Sequence, residues 1–593
     1  MRKSICQKLP IPSSLLAVCV ILLSIISGSA VAEELPSAKD LYLTKASVNE
    51  ADLIPADRIS FRRNLIYDLH RALVRGNYEQ AAHFNAILAQ EAFQRSYRTL
   101  KAWEKLRDPK TGLIPRSLPQ KSWNGYDNAA DGFPFMLLAS HYLDRENESL
   151  WLHTLVSERQ LSGPLPRTIL LNGSQIVDEG PAKLIFGGAE YAKDGLVYIT
   201  ASLGKGPWFE RMEEIMQKII AKARIKSPAG LIPANDTEVN GDMLQVLARL
   251  YWATRKEQYL TMAERITEAY LFEIIPKNKG IPAMRWDFRA GKASSQSFKF
   301  RDHGNEIIPG LAEVYFVEKL LNRPQATRYR EPFKNLLDTF LTVGRSPDGL
   351  WYQAVYTETR LPMNQIISDN WGYVLNAYRT FDLAEGTNTY TSEIIRAMKA
   401  AATMKSYAWE SKHQDGYADS IESMLYQLSQ FDVPECHLWV DDEIEVMFAK
   451  QLPSGYVDGS YLDGNFIRTS LMYAFYKTYG IMTDPWRDDL CFGAALNKSE
   501  NSYFLYLDAD KPWQGLLKFD FSRHKVYWNM PFNYPRLNAP PEWFTVDPDR
   551  NYEIKDLATN QTTVHSGKTL IEGYKVILDG KSPMRLRINM LLK

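Results

Sequence analysis

The chain has 593 residues, 45% of them hydrophobic and 24% charged, with 70 basic residues balancing 70 acidic ones. That length exceeds one small core, so a large domain with a smaller companion is expected. A neutral total excludes a general nucleic-acid binder, which needs a strong basic excess.

The N-terminus opens on basic "MRKSICQK", continues as apolar "LLAVCVILLSIISG", and reaches "AVA" at residues 30–32. This three-part pattern predicts a secretory signal peptide over 1–32, cut near Ala32, and hence a secreted or periplasmic protein with no membrane attachment after cleavage. Removing that segment takes away Arg2, Lys3 and Lys8 and no acid, leaving a net charge of −3. Cys6 and Cys19 leave with it. Cys436 and Cys491 remain, in a compartment that permits disulfides, and a bridge or two buried thiols are both open.

After a lead-in over 33–57, residues 58–485 read as helix. Stretches such as "PWFERMEEIMQKIIAKA", "GDMLQVLARLYWATR" and "NFIRTSLMYAFYKTYG" repeat apolar residues at i, i+3, i+4 and i+7. A recurring phrase punctuates them: "DPKTGLIPRS" at 108–117, "SPAGLIPAND" at 227–236 and "SPDGLWYQAV" at 346–355. Related turns place Gly112, Gly230, Gly280, Gly349, Gly416 and Gly455 between helices, where glycine supplies a conformation other residues resist. From 486 to 593 the pattern changes to period-two alternation ("SYFLYLDAD", "PMRLRINMLL"), which predicts a β-rich domain. "NAPPEWFTVDPDRN" is a Pro-rich connection inside it.

A mainly α chain of long, irregular hairpins with elaborate loops at one end favours a closed ring over a regular solenoid. In this the chain resembles the six-hairpin, (α/α)6-toroid superfamily of carbohydrate-active enzymes, over about residues 58 to 480. The resemblance lies in architecture and loop pattern, and implies a glycoside hydrolase or polysaccharide lyase acting on a polysaccharide or oligosaccharide. "DNAADGFPFM" and "HGNEI" are similar to the helix-entry setting in which toroid glycosidases of unsaturated uronides carry Asp. The Asn/His/Tyr content is similar to that of toroid lyases.

The chemistry is expected between each glycine turn and the next helix. "WNGYDNAADGFPF" places Asp131 at or near a helix N-cap, with Asp127 and Asn128 before it. "RDHGNEIIPG" crowds Asp302, His303, Asn305 and Glu306 at one helix start, a set able to orient substrate and move protons. "SDNWGYVLNAY" adds Asp369, Trp371 and Tyr373, with the aromatics a candidate sugar-stacking wall. "DGYADSIESMLY" adds Tyr417 and Asp419. Asp419 and Glu422 either share a helix face or form a capping arrangement, and capping is preferred. The basic segment 275–301, with Arg285 and Trp286, predicts a short hairpin over a cleft and an anionic substrate such as a uronate-containing or sulfated glycan.

Hydrolysis would draw its acid and base from Asp131, Asp302, Glu306, Asp369 and Asp419. Elimination would use His303, Tyr373 or Tyr417, with Asn305 and Arg285. Hydrolysis is favoured because acids outnumber histidines at the helix entries. A non-catalytic glycan-binding or surface-assembly role is the alternative outside enzymology. No metal or cofactor is expected: calcium-loop spacing is not met around Asp458 and Asp463, and nucleotide, zinc-protease and serine-hydrolase motifs are absent.

Overall fold

The computed structural model describes residues 56–458 and 462–591. The expected signal peptide and lead-in, with Cys6 and Cys19, lie outside the described residues.

A first hairpin joins α1 (Ala56–Val74) to α2 (Tyr78–Glu104). The chain then alternates between inner and outer helices. Inner α3 (Phe133–Leu143) is followed by outer α4 (Glu148–Ser162). Inner α5 (Pro181–Glu190) runs through a π-turn at Tyr191–Leu196 into α6 (Val197–Leu203), then outer α7 (Pro207–Ala221). Next come α8 (Thr237–Thr254) with α9 (Glu257–Ala269), and α10 (Ile307–Leu320) with α11 (Pro324–Thr339). They are followed by α12 (Gly372–Glu385) with α13 (Thr391–Thr403), α14 (Gln414–Leu428) with α15 (Pro434–Phe448), and inner α16 (Asn465–Thr478).

The two kinds of helix differ in sequence. Outer α7 buries one stripe through Trp208, Met212, Ile215 and Ile219 and leaves charged residues outside. Inner α10 is apolar almost all round and buries every residue from Ile307 to Glu318. Inner helices pack on one another in order, α5 on α8, α8 on α10, α10 on α12, α12 on α14 and α14 on α16. α16 returns to α3 and also packs on α2. The array is closed, an α/α toroid followed by a sheet-rich C-terminal region. No helix among the described residues is long and apolar enough to cross a membrane.

The C-terminal strands are β1 (Met482–Asp484), β2 (Leu490–Asn497), β3 (Ser502–Ala509), β4 (Trp513–Lys518), β5 (Asn551–Asp556), β6 (Thr562–Ser566), β7 (Tyr574–Leu578) and β8 (Met584–Met590). They form antiparallel sheets in the orders β2-β3-β8-β5-β6 and β1-β4-β7. The larger sheet lies on α2. At Gly493 a Cβ would come within 2.1 Å of the Ala86 nitrogen, so only glycine allows this approach.

The Pro-rich connection between β4 and β5 enters the ring. Tyr534 O–H donates to Glu313 Oε2 at 2.9 Å, and Asn538 Nδ2 donates to Asp194 Oδ1 at 2.9 Å. Glu313 lies about two turns beyond the start of α10, so this segment reaches between the inner helices.

Five of the punctuating glycines, Gly112, Gly230, Gly280, Gly349 and Gly455, have positive φ. Gly416 corrects the pattern: it sits in the first turn of α14, where a Cβ would meet the Trp409 carbonyl carbon at 2.7 Å. Cys436 and Cys491 are free, buried thiols.

Candidate functional site

The starts of the inner helices gather ionisable groups from successive sectors into one cluster, termed the pit below. The α10 entry provides Arg301, Asp302 and His303. Arg301 Nε donates to Asp302 Oδ1 at 2.7 Å, and its Nη2 donates to Glu410 Oε1 at 2.8 Å. His303 holds a left-handed backbone, φ 63°, uncommon for a non-glycine residue and typical of constrained sites. That conformation sets its imidazole between two carboxylates: Nδ1 contacts Glu238, and Nε2 lies 3.1 Å from Asp302 Oδ2.

The α12 entry contributes Asp369 and Asn370. Asn370 Oδ1 accepts the Asp302 backbone N–H at 2.9 Å, and its Nδ2 donates to Asp419 Oδ2 at 2.9 Å. On α14, Asp419 and Glu422 share a face and one cation: Arg468 Nη2 of α16 lies 2.7 Å from Asp419 Oδ1 and 2.6 Å from Glu422 Oε2. The preferred capping arrangement is corrected, because α14 starts at Gln414 with His413 as its cap. Asn465 Nδ2 donates to Asp415 Oδ1 at 2.5 Å, and Arg116 Nη2 pairs with Asp127 Oδ1 at 2.8 Å. Asp131 lies in a π-turn (Asn128–Gly132) just ahead of α3 and makes no cap bond.

Few cations face these acids, and burial sets their protonation. Asp369 is 2% exposed, and burial, then Asp419 and Asp302, push it up to about 8. Asp131 is driven well above the carboxylate range by burial and then by Asp194 and Asp463. Asp415 follows through burial, Asp463 and Asp419. Burial pushes Glu306 up to about 7 against the pull of Lys193. Asp302 goes the other way: burial opposes ionisation, but His303 and Arg301 outweigh it and hold it below the usual range. His303 rises to about 9, because Glu238 and Asp302 outweigh its burial.

The predicted residues divide clearly. Asp127, Asp131, Asp302, His303, Glu306, Asp369 and Asp419 belong to the pit, and the Tyr373 phenol lies among Asp419, Lys193 and Glu306. Arg285 faces the neighbouring cleft. Five expectations are corrected. Trp371 is fully buried with Nε1 donating to Ser420 Oγ at 2.9 Å, so it is packing and not a stacking wall. Asn305 is buried and donates to the Phe300 and Asn370 carbonyls, tying two loops together. Asn128 is buried, bonded to the Asn124 N–H and the Ile114 carbonyl. Trp286 is buried beneath the hairpin it starts. Tyr417 is buried beside Glu443 and Asp458, with the Lys450 ammonium 5.8 Å over its ring, away from the pit acids.

Sequence reasoning missed Glu190 at the end of α5, Lys193 and Asp194 on the π-turn that follows it, and Glu238 and Asp242 on α8. Lys193 Nζ lies 2.9 Å from Asp194 Oδ1, 3.7 Å from Asp242 Oδ1 and 3.8 Å from Glu306 Oε1. Glu190 is pushed well above the carboxylate range by burial and then by Asp242. The available signal was an ionisable triplet, "AEYAKDG", inside an otherwise apolar helix.

The expected hairpin is present: Trp286–Asp287 pairs antiparallel with Lys292–Ala293, and Ser297–Lys299 pairs with Ala354–Tyr356. Beside His303 and Glu238 it walls a cleft of about 940 Å³ whose basic residues are Lys183, Arg224, Arg285 and Lys299.

No protein-family model matches the chain, and no curated protein matches it. Among solved structures, the chain is similar to a family 76 glycoside hydrolase from a bovine Bacteroides thetaiotaomicron strain, with 12% identity over 65% of this chain and 78% of that one, TM-score 0.41. It is also similar to cellobiose 2-epimerase from Bacillus thermoamylovorans, with 11% identity over 65% and 99% of the two chains, TM-score 0.38. A possible member of the GH105 family from Salmonella enterica has 13% identity over 51% and 86%, TM-score 0.36. The ring itself is established by the packing of the inner helices.

Proposed function

We propose that the protein is a glycoside hydrolase that works outside the cytoplasm on a glycan carrying acidic groups. One observation carries the reading: two neighbouring pit carboxyls are driven apart in protonation. Asp369 is raised to about 8 and keeps its proton at neutral pH. Asp302 is ion-paired to Arg301 at 2.7 Å and stays a carboxylate. Divergent environments of this kind assign acid and base. Asp369 donates its proton to the leaving glycosidic oxygen, and Asp302 stabilises the sugar cation or activates water.

The entry of Tyr534 and Asn538 between the inner helices supports a site closed on one side over an open tunnel. A chain end is thereby favoured over the middle of a polymer. The acidic floor repels an anion at the reacting carbon. The basic wall formed by Lys183, Arg224, Arg285 and Lys299 suits one held beside it. The N-terminal three-part segment supports export.

Elimination is disfavoured by geometry. Both His303 nitrogens face carboxylates, and Asn305 is committed to backbone carbonyls, so the base of that mechanism and one of its two candidate neutralisers are engaged. The test is incubation with acidic and neutral glycans. New reducing ends without unsaturated products support hydrolysis, and ultraviolet-absorbing unsaturated ends support a lyase. Tight binding without products across the panel supports a non-catalytic binder.

A further inference from the structure

At the junction of the pit and the basic-walled cleft, one ligand atom from each of Glu190, Glu238 and His303 lies within 4.8 Å of the others. We propose that these three side chains bind a divalent first-row metal ion, Mn2+ or Zn2+. Two carboxylates and one imidazole form a donor set such ions accept, whereas Ca2+ prefers oxygen alone.

The surroundings are those of a metal site in two independent respects. His303 turns Nδ1 toward Glu238, while Nε2 lies 3.1 Å from Asp302. A carboxylate on the remote nitrogen fixes the tautomer and aims the other nitrogen at an ion, the usual outer arrangement of a metal-bound histidine. Asp242 supplies the second observation. It sits one turn beyond Glu238 on the same face of α8, is fully buried, and neither of its carboxylate oxygens has a hydrogen-bond partner. Buried carboxyls either keep a proton or need a countercharge. Glu190, Asp194, Glu238, Asp242 and Glu306 crowd here, while Lys193 is the only lysine or arginine paired with any of them by a salt bridge among the described residues, and it lies nearest Asp194. An ion between Glu190, Glu238 and His303 offsets the remainder and leaves coordination positions open toward the cleft.

The ligands lie on three separate elements, so no sequence spacing announces them, and the expectation of no metal did not anticipate them. The inference does not rest on the hydrolase reading, because binding is measured without glycan.

The test uses the full chain, stripped with a chelator. Mn2+ is titrated with electron paramagnetic resonance detection of the free ion, and Zn2+ by calorimetry. The expected result is about one Mn2+ per chain, displaced by Zn2+. Glu190→Gln and Glu238→Gln each abolish binding, and Asp302→Asn weakens it about 10–100-fold through its hold on His303. Circular dichroism and unfolding temperature check that each variant is folded. If Glu190→Gln does not fold, the partly exposed Glu238→Gln and His303→Ala decide. No binding by the wild type, or unchanged binding in the folded ligand variants, overturns the proposal.

Discussion

The Asn370 side-chain amide donates to Asp419 Oδ2 at 2.9 Å, and its oxygen accepts the Asp302 backbone N–H at the same distance. One buried amide at the α12 entry thus ties together two acidic residues delivered by the neighbouring α10 and α14 sectors. Asn370→Ala removes both bonds and leaves their partners unmatched. We expect a stability loss of about 1–3 kcal/mol by denaturant unfolding and a fall in turnover of about 10–100-fold. Asn370→Asp should be worse for activity than its size suggests, because it adds a charge beside Asp419 and Asp302.

Protonated Asp369 is the proposed acid, so activity should be present below its folded pKa and lost as pH rises through about 8. Asp419 is the neighbouring charge that raises Asp369 most. Asp419→Asn should therefore move the alkaline limb of kcat/KM to lower pH. Stability carries the same sign: the folded state retains a proton the unfolded chain has released, so this group's contribution declines as pH climbs from about 4 toward 8. Asp369→Asn should flatten that slope, as unfolding measured across the range will read.

Arg468 neutralises Asp419 and Glu422 with one buried guanidinium nitrogen. Arg468→Met preserves bulk and strands both acids. The expected destabilisation is about 3–5 kcal/mol, read by chemical denaturation. Arg468→Met combined with Glu422→Gln should recover part of it.

Far from the pit, Asp441 is fully buried against Lys477 Nζ at 2.6 Å, Tyr473 O–H at 2.7 Å and His70 Nε2 at 3.1 Å. Burial alone would raise it, but Lys477 and His70 overcome that and hold it far below the carboxylate range. A depressed carboxylate stabilises the fold above the unfolded pKa of about 3.9 and loses that contribution as pH falls. Asp441→Asn should cost stability at neutral pH, and the gap to wild type should narrow below about pH 4, as acid unfolding curves will record.

The basic wall should govern binding and leave chemistry untouched. Arg285→Ala with Lys299→Ala should raise KM for an acidic glycan and weaken its salt dependence, with kcat little changed. A neutral glycan should be indifferent to both.

Much of the ring was legible in the sequence, because apolar periodicity and helix punctuation are local properties. The entry acids Asp131 and Asp302 were legible for the same reason, because they precede Pro-limited helix starts, and Asp369 and Asp419 because they follow loop and turn residues closely in sequence. Glu190, Lys193, Asp194 and Asp242 were not, because they sit inside helices, and a π-turn leaves no spacing signature. Trp371 and Asn305 were misjudged because residue type does not tell which side of a closed ring a side chain meets. Trp371 finds Ser420 in the core, and Asn305 finds two carbonyls. The plug formed by Tyr534 and Asn538 depends on contacts more than 200 residues apart in the chain, beyond any local pattern.

The most direct measurement is product analysis after incubating wild type, Asp369→Asn and Asp302→Asn with a panel of acidic oligosaccharides. Wild type should give new reducing ends without unsaturated sugars, and both folded variants should lose product. Unsaturated products, or full activity in either variant, would contradict the hydrolase reading.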